Sequence, residues 1–196
     1  ALTTGLLLFL FTGSVVLPVK ALVLNLLSLS ATFGAMVWIF QDGRFADVLD
    51  FTPTGHLELG VAILMFCVAF GLSMDYEVFL LSRIKEEHDA HGDNTLAVAR
   101  GLQRTGSIIS AAAGLLAIVF VAFAFSGVAT VKLLGLGIAL AVVMDATLVR
   151  GLLVPAVMRL AGDWNWWAPA PLRRAYERFG LRETSADDGA PGVGAA

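Results

Sequence analysis

Charge is scarce in this 196-residue sequence: Asp, Glu, Lys and Arg make up only 15% of it. That is too little to clothe a soluble domain, and no basic stripe of the kind that tracks phosphates is present, so nucleic acid is not an expected partner. A single cysteine, Cys67, excludes an intrachain disulfide, and its place in the middle of an apolar run reads as packing. None of the apolar runs reads as a secretory signal. The first apolar run has no basic segment ahead of it and no initiator Met, and its abrupt start reads as a piece of a longer chain. The formal charge of -3 says little, because in lipid the location of charges rather than their sum sets orientation.

What is present is apolar: 58% hydrophobic residues and a mean hydropathy of +0.81. These values predict an all-α integral membrane protein, a polytopic helix bundle. About 20 apolar residues cross the ~30 Å hydrocarbon core. Uncharged runs accordingly place five spans at residues 1–19, 21–41, 57–82, 105–131 and 133–158, within a bundle covering residues 1–160. If the spans alternate, Lys20, Arg83, Lys85, Arg100, Arg104, Arg159, Arg173, Arg174, Arg178 and Arg182 fall on one side, and only Arg44 and Lys132 on the other. The positive-inside rule makes the first side and the C-terminus cytoplasmic, in the cell (inner or plasma) membrane, and puts Asp42, Asp47, Asp50 and Pro53 outside. The first span is then entered from the exterior, a second sign of missing upstream sequence.

Residues 83–104 change from charged to mildly amphipathic and read as a short interfacial helix. His88 and His91, with Glu86, Glu87, Asp89 and Asp93 nearby, carry metal-type ligands, but mixed charge in a polar connection is ordinarily solvated, and no metal or cofactor is expected. His56, beside Gly55, reads as a turn residue. Residues 161–183 form an interfacial aromatic and basic tail, with Trp164, Trp166 and Trp167 as anchors at the bilayer exit. Leu172, Ala175, Tyr176 and Phe179 then recur at spacings of three and four against Arg173, Arg174, Glu177 and Arg178, as in a helix lying on an anionic leaflet. Residues 184–196 read as disordered. Within the spans, Ser110 with Gly114 and Gly135 with Ala139 form small-xxx-small pairs suited to close helix approach.

Three acids stand inside apolar sequence, where an ionisable group marks function or a partner. Asp75 is eight residues deeper than Arg83, roughly 12 Å into the span. That is too deep to snorkel. Glu77 lies about 200° round the helix from it, so the two acids cannot share a face. Tyr76 adds a hydroxyl able to donate to a facing carboxylate or to pass a proton through water. Asp75 and Tyr76 are therefore the candidate proton site, with Glu77 supporting, and a structural hydrogen bond in the membrane is the alternative. Asp145 interrupts the fifth span after twelve apolar residues, too few to cross, so it too is intramembrane. Its role is open between proton coupling and packing. Arg150, about 140° away on an α-helix, is expected at the inner interface, with the acid's partner on another helix.

Three strings, GLSMDYEVFLLSRIKE, VARGLQRTGSIISAAAG and MDATLVRGLLVPAVMRLAGDWNWWAP, resemble the C-terminal membrane portion of the MMPL family of transporters, within the resistance-nodulation-division superfamily. The resemblance covers about residues 5–174. It implies a chain equivalent to about spans 8 to 12 of a twelve-span secondary active transporter, not an enzyme, whose other half and exterior porter domains lie outside it. Such transporters export lipids or other hydrophobic compounds with protons as the coupling ion. By the same resemblance, Asp75 and Tyr76 would face an equivalent Asp-Tyr pair on the fourth span, with Glu77 and Asp145 in support. Drug efflux by that mechanism, a helix-packing scaffold and a channel-like protein are the alternatives, and a homo-oligomer is left open.

Overall fold

The computed structural model of the protein describes residues 2–49, 51 and 58–179. Its apolar runs are helical, as they must be in lipid, where only a helix satisfies every backbone N–H and C=O within one segment. In order these are α1 (Leu2–Thr12), α2 (Val16–Met36), α3 (Ala46–Leu49), α4 (Leu59–His91), α5 (Asn94–Ala122), α6 (Ala129–Met144), α7 (Val154–Ala161) and α8 (Ala170–Phe179). A π turn, Val37–Gln41, prolongs α2, and a longer π segment, Asp145–Leu153, joins α6 to α7 without a break. Two 3-10 turns, Phe123–Phe125 and Gly162–Trp166, complete the set, and no strand occurs among the described residues.

Four stretches are long and apolar enough to cross a membrane: Val16–Gln41, Leu59–His91, Asn94–Phe125 and Ala129–Trp166. The protein is a multi-pass, all-α membrane protein. Ahead of the four stretches, the run expected as the first span, residues 1–19, does not continue as one helix to Lys20. Helix α1 is 11 residues, roughly 16 Å, and stops at Gly13, whose φ of 67° lies in the left-handed region that favours glycine. The next helix starts at Val16 with Pro18 in its first turn, so Lys20 sits inside α2 rather than between two spans.

The expected interfacial helix is absent for a similar reason. Helix α4 continues unbroken to His91, Gly92 (φ 71°) turns the chain, and Asp93 caps α5 by accepting from the Thr95 and Leu96 N–H groups at 2.8 and 3.0 Å. Two long helices thus meet through a tight turn, and residues 83–104 are their ends. Nor are the charges there all solvated: Glu87 is 4% exposed, with Arg104 at 2.6 Å, His91 at 3.6 Å and Arg100 at 3.8 Å.

The helices pack around three apolar clusters. Leu17, Leu24, Leu80, Leu81, Ile84 and Val98 fill one end of the bundle, and Met36, Phe40, Met65, Ile138 and Val142 fill the other. Between them Leu29 of α2 meets Ala69 of α4 and Ala141 of α6. Leu115 and Ile118 of α5, 68% and 73% exposed, face outward, as residues in contact with lipid do. So does Cys67, which is exposed and not a packing residue. Of the small-residue pairs, Gly135 and Ala139 are buried, Gly135 against Phe120 and Phe123, whereas Ser110 and Gly114 lie on the exposed face of α5. His56 and residues 184–196 fall outside the described residues.

Candidate functional site

Three successive residues of α4 point three ways, as the helical period requires. Asp75 is exposed on the outer flank of the helix, Tyr76 is half-buried, and Glu77 is 5% exposed inside the bundle. Gly71, one turn before Asp75, has no atom within 4 Å of where a Cβ would sit. The flank that carries Asp75 is therefore open to the close approach of another helix.

On the inner side a charged cluster assembles that the sequence reading did not foresee. The Nη2 of Arg150 lies 2.5 Å from Asp145 Oδ2, an ion pair within one helix. This reverses the expectation for both residues. The segment Asp145–Leu153 is π-helical, with hydrogen bonds from residue i to i+5, so the fifth residue returns beneath the first instead of standing 140° away. Arg150 consequently stays 3% exposed within the bundle and never reaches the interface.

Ser73, one turn before Glu77 on α4, joins the pair to that helix. Its hydroxyl donates to Asp145 Oδ1 at 2.8 Å, and its carbonyl accepts from Arg150 Nη2. The guanidinium also lies 3.9 Å from Glu77 Oε2 through Nε, and 5.0 Å above the Tyr76 ring as a cation–π contact. Asp145, Glu77 and Tyr76 thus meet around Arg150, while Asp75 stands apart on the other side of α4. A cavity of about 10 Å³, room for one water molecule, opens beside Ser73, Tyr76, Asp145 and Arg150. In chemical terms two carboxyls, a phenol and a hydroxyl can exchange protons around a fixed cation.

Ser73 and Arg150 were the residues missed. The available signal was the pairing of opposite charges in one apolar span, since neither is tolerated alone at that depth.

The end of the bundle nearest α7 is closed by a second polar layer, built on Asn165. Its Nδ2 donates to Met158 O at 2.6 Å, Gly162 O at 2.7 Å and Asn94 Oδ1 at 3.1 Å. Its Oδ1 accepts from Lys20 Nζ at 2.5 Å, and its carbonyl accepts from Ser14 Oγ at 2.5 Å. One fully buried amide therefore ties the α1–α2 turn, the start of α5 and the end of α7 together. Trp166 belongs to this layer and is not a membrane anchor: its indole N–H donates to Asn94 Oδ1 at 3.1 Å, and its ring stacks on His88 at 4.0 Å. Trp164 and Trp167, 75% and 53% exposed, remain free to meet the interface. Tyr176 of α8 packs edge-on against Phe9 of α1, ring centroids 6.2 Å apart, so this helix docks on the bundle through that face. Among the described residues no group of three His, Cys, Asp or Glu side chains converges as a metal site.

Comparison with known proteins adds the lineage. The sequence profile of the MMPL family matches residues 3–191. A putative membrane protein of Streptomyces coelicolor is 52% identical over 177 residues, which are 90% of this chain and 25% of that protein. The trehalose monomycolate exporter MmpL3 of Mycobacterium tuberculosis is 47% identical over 186 residues, 95% of this chain and 20% of the exporter. The mycolic acid-containing lipids exporter MmpL11 of Mycolicibacterium smegmatis is 40% identical over 169 residues, 86% of this chain and 18% of its length. The chain thus spans about a quarter or less of the relatives it matches.

Proposed function

The chain belongs to the MMPL family, and on that premise we propose that it forms the second-half membrane bundle of a proton-driven exporter of lipids or other hydrophobic compounds, in which Asp75 and Tyr76 supply half of an intramembrane proton relay. The observation that carries this reading is the outward placement of Asp75. A carboxyl deep in a membrane-spanning helix, turned away from its own bundle beside the open flank at Gly71, calls for a partner on an element outside this chain. The relatives named as exporters of trehalose monomycolate and of mycolic acid-containing lipids favour a lipidic cargo.

In this reading Asp75 takes a proton from the exterior and loses its pairing with the facing helix. The relaxed bundle then adopts the packing that drives the exterior domains, and the proton leaves inward. Coupling of this kind requires the two protonation states to prefer different packings. Tyr76 connects the two sides of α4: it neighbours Asp75 in sequence and lies beneath Arg150 of the buried cluster. The basic residues Lys20, Arg100, Arg104 and Arg173 gather at the end closed by Asn165, which favours a cytoplasmic location for that end and for α8 in the cell membrane.

The test is proton-coupled export by the full-length exporter in vesicles. Asp75→Asn abolishes proton uptake and export together, and a variant that still exports against a gradient overturns the reading.

A further inference from the structure

The buried cluster has a side that faces neither Asp75 nor the water-sized cavity at Tyr76. Asp145 and Glu77 bring two carboxyls to the single guanidinium of Arg150, so the cluster is charge-balanced when one carboxyl carries a proton. Asp145 is held from two directions, by Ser73 and by Arg150. Glu77 meets Arg150 only at 3.9 Å and lines a second cavity of about 10 Å³, again room for one water molecule.

This second cavity lies between α2, α4 and α7. Leu17, Leu24, Leu81 and Met158 give it apolar walls, and its two ionisable residues are Glu77 on α4 and Lys20 on α2. Lys20 in turn binds Asn165, in the polar layer that closes that end of the bundle. The charged groups facing Glu77 are therefore Arg150 from the π segment and Lys20 from α2, with Asp145 behind Arg150, while α1 carries no charge. A further buried polar group lies next along α2, outside the residues that line this cavity. Asn25, next to Leu24 on α2, is 3% exposed, and neither its amide oxygen nor its amide nitrogen has a hydrogen-bond partner among the described residues. Buried amides in that position are ordinarily met by ordered water.

We propose that Glu77 and Lys20 mark the route by which the proton leaves the relay, from the cluster around Arg150 to the end of the bundle closed by Asn165. The proposal rests on the relay reading of Asp75 and Tyr76. The step is proton transfer alone: the Glu77 carboxylate takes a proton delivered from the relay on the Tyr76 side and becomes a neutral carboxyl. It then gives that proton to water in the cavity, which carries it past Lys20. Arg150 stays a guanidinium throughout, and the cluster alternates between one net negative charge and none.

Proton uptake by the full-length exporter in vesicles, followed with an entrapped pH dye under an imposed gradient, tests this. Glu77→Gln keeps the shape of the side chain and slows uptake about 100-fold, the lower end of the effect of a lost proton-transfer group. Glu77→Asp restores part of the rate, and Lys20→Met shifts its pH profile. Leu24→Phe fills the cavity without changing a charge and slows uptake as well, which keeps the test informative if Glu77→Gln fails to fold. Wild-type uptake in Glu77→Gln, beside an inactive Asp75→Asn, overturns the exit route and spares the relay. Equal losses in Glu77→Gln and Glu77→Asp with an unchanged pH profile assign Glu77 to packing and overturn the route too. Uptake that survives Asp75→Asn overturns the relay and the route together.

Discussion

The Nη2 of Arg150 sits 2.5 Å from Asp145 Oδ2 although the two residues are five apart in one continuous helix. Only the π backbone of Asp145–Leu153 allows it, because an α-helix would set them about 140° apart. The pair then docks on α4 through Ser73, whose hydroxyl serves the acid and whose carbonyl serves the cation. Backbone and ion pair hold each other: straightening the segment to α geometry would separate two buried charges and leave Asp145 without a cation. π segments of this kind concentrate at functional sites, in keeping with the charges found here.

Removing one partner of this pair is therefore worse than removing both. Arg150→Met leaves Asp145 and Glu77 buried without their cation and costs about 3–5 kcal/mol of stability. The double variant Asp145→Leu, Arg150→Met costs less than Arg150→Met alone, because an apolar pair replaces a charged one. Thermal unfolding of the purified full-length exporter in detergent measures both. A double variant no more stable than Arg150→Met would mean that the pair is not coupled.

The layer on Asn165 invites a similar comparison in neutral chemistry. Asn165→Ala leaves the Ser14 bond to the backbone carbonyl in place and takes Lys20 Nζ from its acceptor, while Asn94 Oδ1 keeps the Trp166 indole and Met158 O keeps Asn94 Nδ2. Each hydrogen bond lost from this layer costs about 0.5–1.5 kcal/mol. The expected result is a clear loss of thermal stability together with faster proteolysis around Gly162 and Trp166. Asn165→Asp retains an acceptor for Lys20 and loses the donors, so it should fall between wild type and Asn165→Ala.

How much of this could be read from the sequence depends on which signals were local. Four long apolar helices follow from composition alone, and the separation of Asp75 from Glu77 follows from the helical period. The break at Gly13 was passed over because the first two apolar runs were divided at the only charge, Lys20. Gly13, Ser14 and Pro18 together were the better marker, a left-handed glycine after one helix and a proline just inside the next. Opposite charges in one apolar span hinted at the Arg150 pair, but its geometry was not legible, since every angular argument presumes 100° per residue and nothing in Asp145–Leu153 announces a π backbone. Asn165 stands among three tryptophans that drew the reading to the interface, and only the fold shows it fully buried. Glu87 was hidden likewise, because the turn at Gly92 that brings α5 back along α4, and with it Arg100 and Arg104, is a tertiary fact.

Gly13 itself offers a test of how α8 is held. A Cβ at this position would lie 2.8 Å from Tyr176 Cε1, and the backbone φ of 67° costs a residue with a side chain roughly 1–2 kcal/mol. Gly13→Ala is expected to destabilise the bundle and to release α8, seen as faster trypsin cleavage at Arg173 and Arg174. Adding Tyr176→Ala removes the overlap and leaves the backbone strain. The double variant should therefore lose less than the two single losses combined, and strict additivity would show that the ring and the turn do not touch.

Orientation can be checked from the two ends of the bundle at once. Arg44, exposed beside Trp38, and Arg173, exposed on α8, lie at opposite ends, since α2 starts at the end where Ser14 meets Asn165 and runs away from it towards Arg44. In a full-length exporter with Cys67→Ser as background, Arg44→Cys is expected to react with a membrane-impermeant maleimide in intact cells. Arg173→Cys should react only after the membrane is opened. The charges supply the reason: Lys20, Arg100 and Arg104 belong to the same end as Arg173, and clusters of Lys and Arg near span ends stay cytoplasmic. Labelling of both positions from outside would place α8 in the exterior space and remove the direction assigned to the proton, because Glu77 and Lys20 lie on the α8 side of the Arg150 cluster.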